Sequence, residues 1–195
     1  MKCVMASFQT AYDRTLQHEG GYVNDPNDPG QETYCGISRR YHPEWAGWEK
    51  IDQYKQGRGF PGTLDMDAKV GHLVSGFYQD TYWEPTKAQT YRYQEIANEM
   101  FDIAVHLGVQ RAVKFMQTAL NILNKNESLY PNILVDGHFG LQTLASLNTY
   151  QNTEPPAFLH KLLLIQRGAF YIDAVAKREE SEAYIRGWLR RVTMQ

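Results

Sequence analysis

Most apolar residues of this 195-residue chain recur at the helical period. Phe8, Ala11, Tyr12, Thr15 and Leu16 fall on one face with Ser7 as a cap, which predicts a helix over residues 7–19. Gly20-Gly21 is expected to stop it, because glycine readily takes the left-handed conformation of a helix C-cap. Periodicity then disappears until a short extended piece over 33–37, followed by a helical turn capped by Ser38. Trp45, Trp48 and Ile51 predict a helix over 43–54 opened by Pro43, and Met66, Val70, Val74 and Phe77 predict one over 65–82. Residues 94–107 and 109–123 read as a helical pair broken at Gly108, and residues 124–140 as a loop. Helices over 141–150, 155–178 and 181–189 complete the chain, the last followed by Arg190 and Arg191, charges suited to a helix C-terminus. The polar and aromatic stretch 87–93 is the candidate hinge. It divides the chain into regions 1–93 and 94–195, two lobes or one continuous domain. The expected fold class is mainly α: a helical bundle with one irregular loop and at most a small β element.

Composition narrows the function. A hydrophobic content of 43% allows a real core, and a net charge of −2 gives no electrostatic footprint for nucleic acid. No stretch approaches the roughly 18 apolar residues of a membrane span. The start lacks the apolar core and cleavage site of a signal peptide, so the chain is expected to be made in the cytoplasm and to reach any outside target by another route. Cys3 and Cys35 are the only cysteines, with no spacing that demands a bridge, and Cys35 reads as a small buried residue. The six histidines show no metal-ligand spacing, so neither metal nor cofactor is expected. Aromatics reach 13%, many beside polar residues, a usage that suits sugars.

The departure from this regular pattern is residues 18–37, HEGGYVNDPNDPGQETYCGI. Glu19 stands at the predicted helix end, where the dipole disfavours a carboxylate and, with partial burial, favours its protonated form. Such an acid can donate a proton to a leaving oxygen at neutral pH, and a second, ionised carboxylate can steady an oxocarbenium-like transition state or activate water. Asp25 and Asp28 follow six and nine positions later on a turn-rich, proline-stiffened loop. Thr33 and Tyr34 offer hydroxyls to position water. Tyr22 is suited either to stacking on a sugar or to packing under the loop.

These residues carry a resemblance. His18-Glu19-Gly20-Gly21-Tyr22, Asn24-Asp25-Pro26, Asp28-Pro29-Gly30 and Thr33-x-x-Gly36-Ile37-Ser38 resemble the signature of glycoside hydrolase family 108, lysozyme-like muramidases of bacteria and phages. Tyr82-Trp83 fits the same catalytic region. Phe101-Asp102-Ile103-Ala104, Gln117 and Asp136-Gly137-x-Phe139-Gly140-x-x-Thr143 resemble the helical predicted peptidoglycan-binding region that follows it. The chain departs from the family at Gln31, where a second glycine is common, and at His106, where asparagine is common. Thr33 lies slightly displaced from the family's threonine.

The resemblance implies a lysozyme-like fold with residues 1–93 catalytic and 94–195 forming the far wall of a groove. It implies hydrolysis of the β-1,4 bond between N-acetylmuramic acid and N-acetylglucosamine, with Glu19 as general acid and Asp28, or alternatively Asp25, as second carboxylate. Tyr22, Asp25, Thr33, Tyr34 and Trp83 are the expected substrate-binding residues. The expected partner is a peptidoglycan glycan strand, approached by a monomer without nucleic acid or membrane insertion, after holin-type or specialised export. Two alternatives remain open: a lytic transglycosylase, which needs no second acid, and a non-catalytic wall-binding or secretion-associated module.

Overall fold

A computed structural model describes residues 5–16, 20–25, 30–64 and 66–192. They divide into two compact units, residues 12–81 and residues 1–11 with 82–195.

Helix α1 (Phe8–Leu16) opens the described fold, and Ser7 Oγ accepts from Thr10 N–H at 3.4 Å, as a cap should. The predicted end of this helix, residues 17–19, lies outside the described residues, and with it the expected cap at Gly20-Gly21. In the unit of residues 12–81, strands β1 (Tyr22–Asn24), β2 (Glu32–Tyr34) and β3 (Ile37–Ser38) form one antiparallel sheet in the order β1-β2-β3. The expected single extended piece is therefore two strands joined by a tight turn. Both turn residues, Cys35 (φ 45°) and Gly36 (φ 76°), have the positive φ of a type I′ hairpin, whose twist matches that of its strands. Cys35 is half-exposed, contrary to the expected buried position, because the turn carries it out of the packed strand. Ser38 ends strand β3 and opens the expected turn, its carbonyl accepting from Tyr41 and His42 N–H at 3.2 and 2.9 Å, but its hydroxyl donates to Gly30 O at 2.8 Å instead of capping.

Helices α2 (Gly47–Lys55) and α3 (Ala68–Tyr78) pack on one another. Both are shorter than the periodicity predicts. Asp67 sets the start of α3: its carboxylate accepts from Lys69 N–H at 2.8 Å and from the Tyr54 hydroxyl at 2.8 Å. A π-helical turn, Gln79–Trp83, follows α3.

The other unit is built on α4 (Gln94–Leu107), α5 (Val109–Leu123) and α7 (Pro156–Lys177), which pack pairwise; α6 (Leu141–Thr153) packs on α5 and α8 (Glu182–Leu189) on α7. Ile96, Met100, Phe101, Ile103, Met116 and Leu163 are fully buried there. Residues 87–93 fall inside the unit of residues 1–11 and 82–195. Tyr91 is fully buried, its hydroxyl donates to Thr86 O at 2.8 Å, its carbonyl accepts from Ala6 N–H, and Arg92 N–H donates to Gln151 Oε1. A buried tyrosine ring holds the segment in the core, and the polar composition around it hides that.

Candidate active site

The hairpin is the scaffold of the candidate site. Tyr22 pairs with Tyr34, Val23 with Thr33 and Asn24 with Glu32, and on the other side Thr33 pairs with Ser38 and Tyr34 with Ile37. Because side chains alternate along strands, Tyr22, Asn24, Glu32, Tyr34 and Ile37 share one face. Thr33 belongs to the opposite face with Val23. The Asn24–Glu32 pair closes the base of the connection, residues 25–31, that carries Asp25 and Asp28 in the sequence.

That base is held by ions. Glu32 Oε2 lies 2.9 Å from Arg39 Nη1 and Oε1 lies 2.5 Å from Lys55 Nζ. Arg39 also grips Asp52 on α2 through both nitrogens, at 2.8 and 2.5 Å, and Lys55 reaches the same carboxylate at 3.0 Å. Burial pushes the Glu32 carboxyl up, but hydrogen bonds from Lys55 and Arg39 outweigh it and hold the group below its ordinary range. Hydrogen bonds from Arg39, then Lys55, depress Asp52 further. Both acids are fixed as carboxylates, so neither is suited to donating a proton near neutrality. Arg39, forked onto Asp52 and hydrogen-bonded once to Glu32, ties strand β2 to helix α2.

Tyr22 sits over this network. Its ring meets Phe60 edge-on at 4.6 Å and lies 5.8 Å from Lys55 Nζ, and burial followed by the nearby Glu32 charge raises its hydroxyl pKa. Asp25 is exposed and Thr33 half-buried. Tyr34 and Trp83, both expected to touch substrate, are buried at 3% and 2% exposure. Tyr34 stacks with Trp45 at 6.5 Å, and Trp83 is wedged between Phe8 and Phe101 at 5.6 and 6.0 Å. Their rings face packed side chains because large aromatic surfaces gain most from leaving water. Beneath the turn, the Tyr78 hydroxyl donates to Cys35 O at 2.9 Å. The Tyr12 hydroxyl is pushed up to about 12, first by burial and then by Cys35 and Asp13, so it remains a hydrogen-bond donor throughout the physiological range.

Glu19 and Asp28, the two catalytic expectations, lie outside the described residues. Their neighbours are described: Leu16 ends α1, Gly20 and Gly21 lead into β1, and Gly30 leads into β2. Among the described residues no group of His, Cys, Asp and Glu gathers as a metal site, and no helix is long and apolar enough to cross a membrane. The sequence reading missed the network of Glu32, Arg39, Asp52 and Lys55. Only the three-residue spacing of Asp52 and Lys55 on a helix hinted at it; Glu32 and Arg39 join through the sheet.

The second motif is explained by packing. Gln117, 1% exposed on α5, donates through Nε2 to Asp136 Oδ1 at 2.9 Å and His138 O at 3.0 Å, with Thr143 Oγ1 at 3.2 Å. Its Oε1 accepts from Gly137 N–H at 2.9 Å. Gly137 has φ +83°, and a Cβ there would meet Gln110 Cγ at 2.5 Å and Gln110 O at 2.8 Å, so only glycine fits. The Asp136-Gly137 loop and Thr143 on α6 are thus both latched to α5 through Gln117.

The described residues form a mainly helical fold with one small hairpin sheet, the architecture of the lysozyme-like class. Consistent with that class, the fold is similar to that in the "Structure of Brucella abortus SagA", with TM-score 0.60, 22% identity, and coverage of 95% of this chain and 88% of that one. A search of curated proteins gave no match. Residues 12–108 match the model of the family Glycosyl hydrolase 108 and residues 111–193 that of the Predicted Peptidoglycan domain. The chain belongs to the glycosyl hydrolase 108 family, and it is a glycoside hydrolase acting on peptidoglycan.

Proposed function

We propose that the protein is an N-acetylmuramidase cleaving the β-1,4 bond between N-acetylmuramic acid and N-acetylglucosamine, with Glu19 as general acid. The observation that carries this reading is the family match over residues 12–108, which encloses the Glu19-Gly20-Gly21 motif between α1 and the hairpin. The electrostatics of the hairpin support it. Glu32 and Asp52 are held ionised by Arg39 and Lys55, which leaves proton donation to a different acid.

In this reading Glu19 protonates the glycosidic oxygen as the bond to the sugar breaks. Asp28, on the connection whose base the Asn24–Glu32 pair closes, steadies the cationic sugar or activates the attacking water, with Asp25 as the alternative. Thr33 helps place that water. Tyr22 and Asp25 contact the glycan, whereas the buried Tyr34 and Trp83 act by holding the hairpin and the π-helical turn in place.

Glu19→Gln tests the assignment, since it keeps the shape and removes the titrating proton. Release of reducing sugar from purified peptidoglycan is expected to fall by a factor of about 10² to 10⁴. Wild-type turnover in a folded Glu19→Gln protein would end the assignment. Mass spectrometry of the wild-type digest tests the reaction type: reducing N-acetylmuramic acid ends are expected, and anhydro-muramyl ends would replace hydrolysis with transglycosylation.

A further inference from the structure

A cleft of about 460 Å³ opens in the helical unit among the end of α4, the first turn of α5, α7 and α8. Its size is ordinary for a small-ligand site, which spans about 300–1,000 Å³. Phe170, Ala174 and Lys177 line it from α7 at helical spacing, and Trp188 closes it from α8. Arg111 enters from α5, its guanidinium carbon 4.2 Å from the Phe170 ring centre, and Arg178 lies just past the end of α7.

The charges decide what fits. Lys177 is already paired with Asp173 at 2.7 Å. Among the described residues no carboxylate is in ion-pair range of Arg111 or Arg178, and both are exposed. Asp102, the nearest acid of α4 to His106, is taken up by Arg167 and Arg191. Ser181 adds a hydroxyl whose side chain caps no helix N–H. Two guanidinium groups and a hydroxyl beside two aromatic walls form a receptor for a carboxylate attached to a small, partly apolar body. Guanidinium suits a carboxylate because its N–H fork matches the two oxygens.

In peptidoglycan the sugar backbone is uncharged and the free carboxylates belong to the stem peptides. We propose that this cleft binds the C-terminal carboxylate of a stem peptide, so that the helical unit recognises the peptide while the hairpin unit acts on the glycan. The inference rests on the reading of the protein as a peptidoglycan hydrolase.

Calorimetric titration of the full chain with a synthetic Ala-Glu-Lys-Ala stem tetrapeptide, as free acid and as C-terminal amide, tests it. The free acid is expected to bind, and amidation, Arg111→Gln and Arg178→Gln are each expected to weaken binding about tenfold, as loss of a charge-assisted contact does. Circular dichroism checks that the variants, both at exposed positions, remain folded. Equal binding of acid and amide, or binding untouched in both folded variants, would overturn the proposal. Displacement by inorganic phosphate more readily than by the tetrapeptide would also overturn it, in favour of a phosphate site. Release of reducing sugar from peptidoglycan is measured in parallel. If it persists in the wild type while the tetrapeptide fails to bind, the stem-peptide inference alone fails. If no sugar is released, the reading beneath it fails as well.

Discussion

The two units each contain an arginine clamped between two acidic side chains, and they use it under opposite conditions. In the hairpin unit Arg39 joins Glu32 to Asp52 at the surface, its side chain 34% exposed. In the helical unit Arg167 is fully buried. It donates to Glu99 Oε1 at 3.0 Å, to the Tyr171 hydroxyl at 2.8 Å and to Asp102, which also accepts from Arg191 at 3.2 Å. Burial alone would lower the Arg167 pKa, but the charges of Asp102 and Glu99 reverse that and raise it. The first clamp is open to solvent, whereas Arg167 and Glu99 of the second are buried. The first can therefore tether a strand to a helix at small energetic stake, while the second commits the α4–α7 contact to one arrangement.

The largest test of this contrast is Arg167→Met. It removes the buried guanidinium that pairs with Glu99, itself 3% exposed, and should cost about 3–5 kcal/mol of stability in a urea melt, the usual cost of breaking a buried pair by removing one partner. A cost under about 1 kcal/mol would mean that the two clamps do not differ.

Next is the polar latch of the same unit. Gln117→Leu leaves the Gly137 N–H and the Asp136 carboxylate without their buried partner, and should cost about 1–3 kcal/mol in the same melt. Gly137→Ala forces a methyl against Gln110 O and is expected to destabilise by a similar amount, about 1–3 kcal/mol. A neutral Gly137→Ala would show that the loop shifts freely.

Arg39→Met should cost the least stability, at most about 1 kcal/mol. Its signature is pH dependence. Glu32 and Asp52 have folded pKa values below their unfolded ones, so their contribution is present above the ordinary carboxylate range and is lost as pH falls through the depressed values. The wild-type melting temperature should therefore decline below about pH 4, and the decline should be shallower in Arg39→Met. Parallel curves for the two proteins would remove Arg39 from the account. If the clamp also positions the hairpin connection, the variant loses about tenfold in sugar release, more than its small stability loss explains.

The positions of α1, α4, α5 and α7 were legible in the sequence because a helix needs only a local repeat of apolar residues to declare itself. The same locality explains what that reading left out. Residues 33–37 read as one extended piece because the turn at Cys35-Gly36 requires positive φ at both residues, and cysteine does not advertise it. Residues 87–93 read as a hinge because their composition is polar, although one ring, Tyr91, fixes them in the core. Trp83 and Tyr34 read as candidate sugar contacts because the residue type is amphipathic, and no local pattern tells which way a ring faces.

The sequence by itself determined the family motif, the mainly helical class and the acid at Glu19 that the proposed chemistry requires, since each is written in residue types at short spacing. Only the tertiary structure decided which acids are held ionised, with Glu32 and Asp52 pinned by Arg39 and Lys55. It alone latched the Asp136-Gly137 loop to Gln117, and gathered Arg111, Phe170, Arg178 and Trp188 around one cleft. The reason is physical: protonation, burial and recognition depend on distances between residues far apart in the chain. The stretch from His18 to Ile37 thus names the proposed chemistry, and the packing around its strands supplies the electrostatic setting.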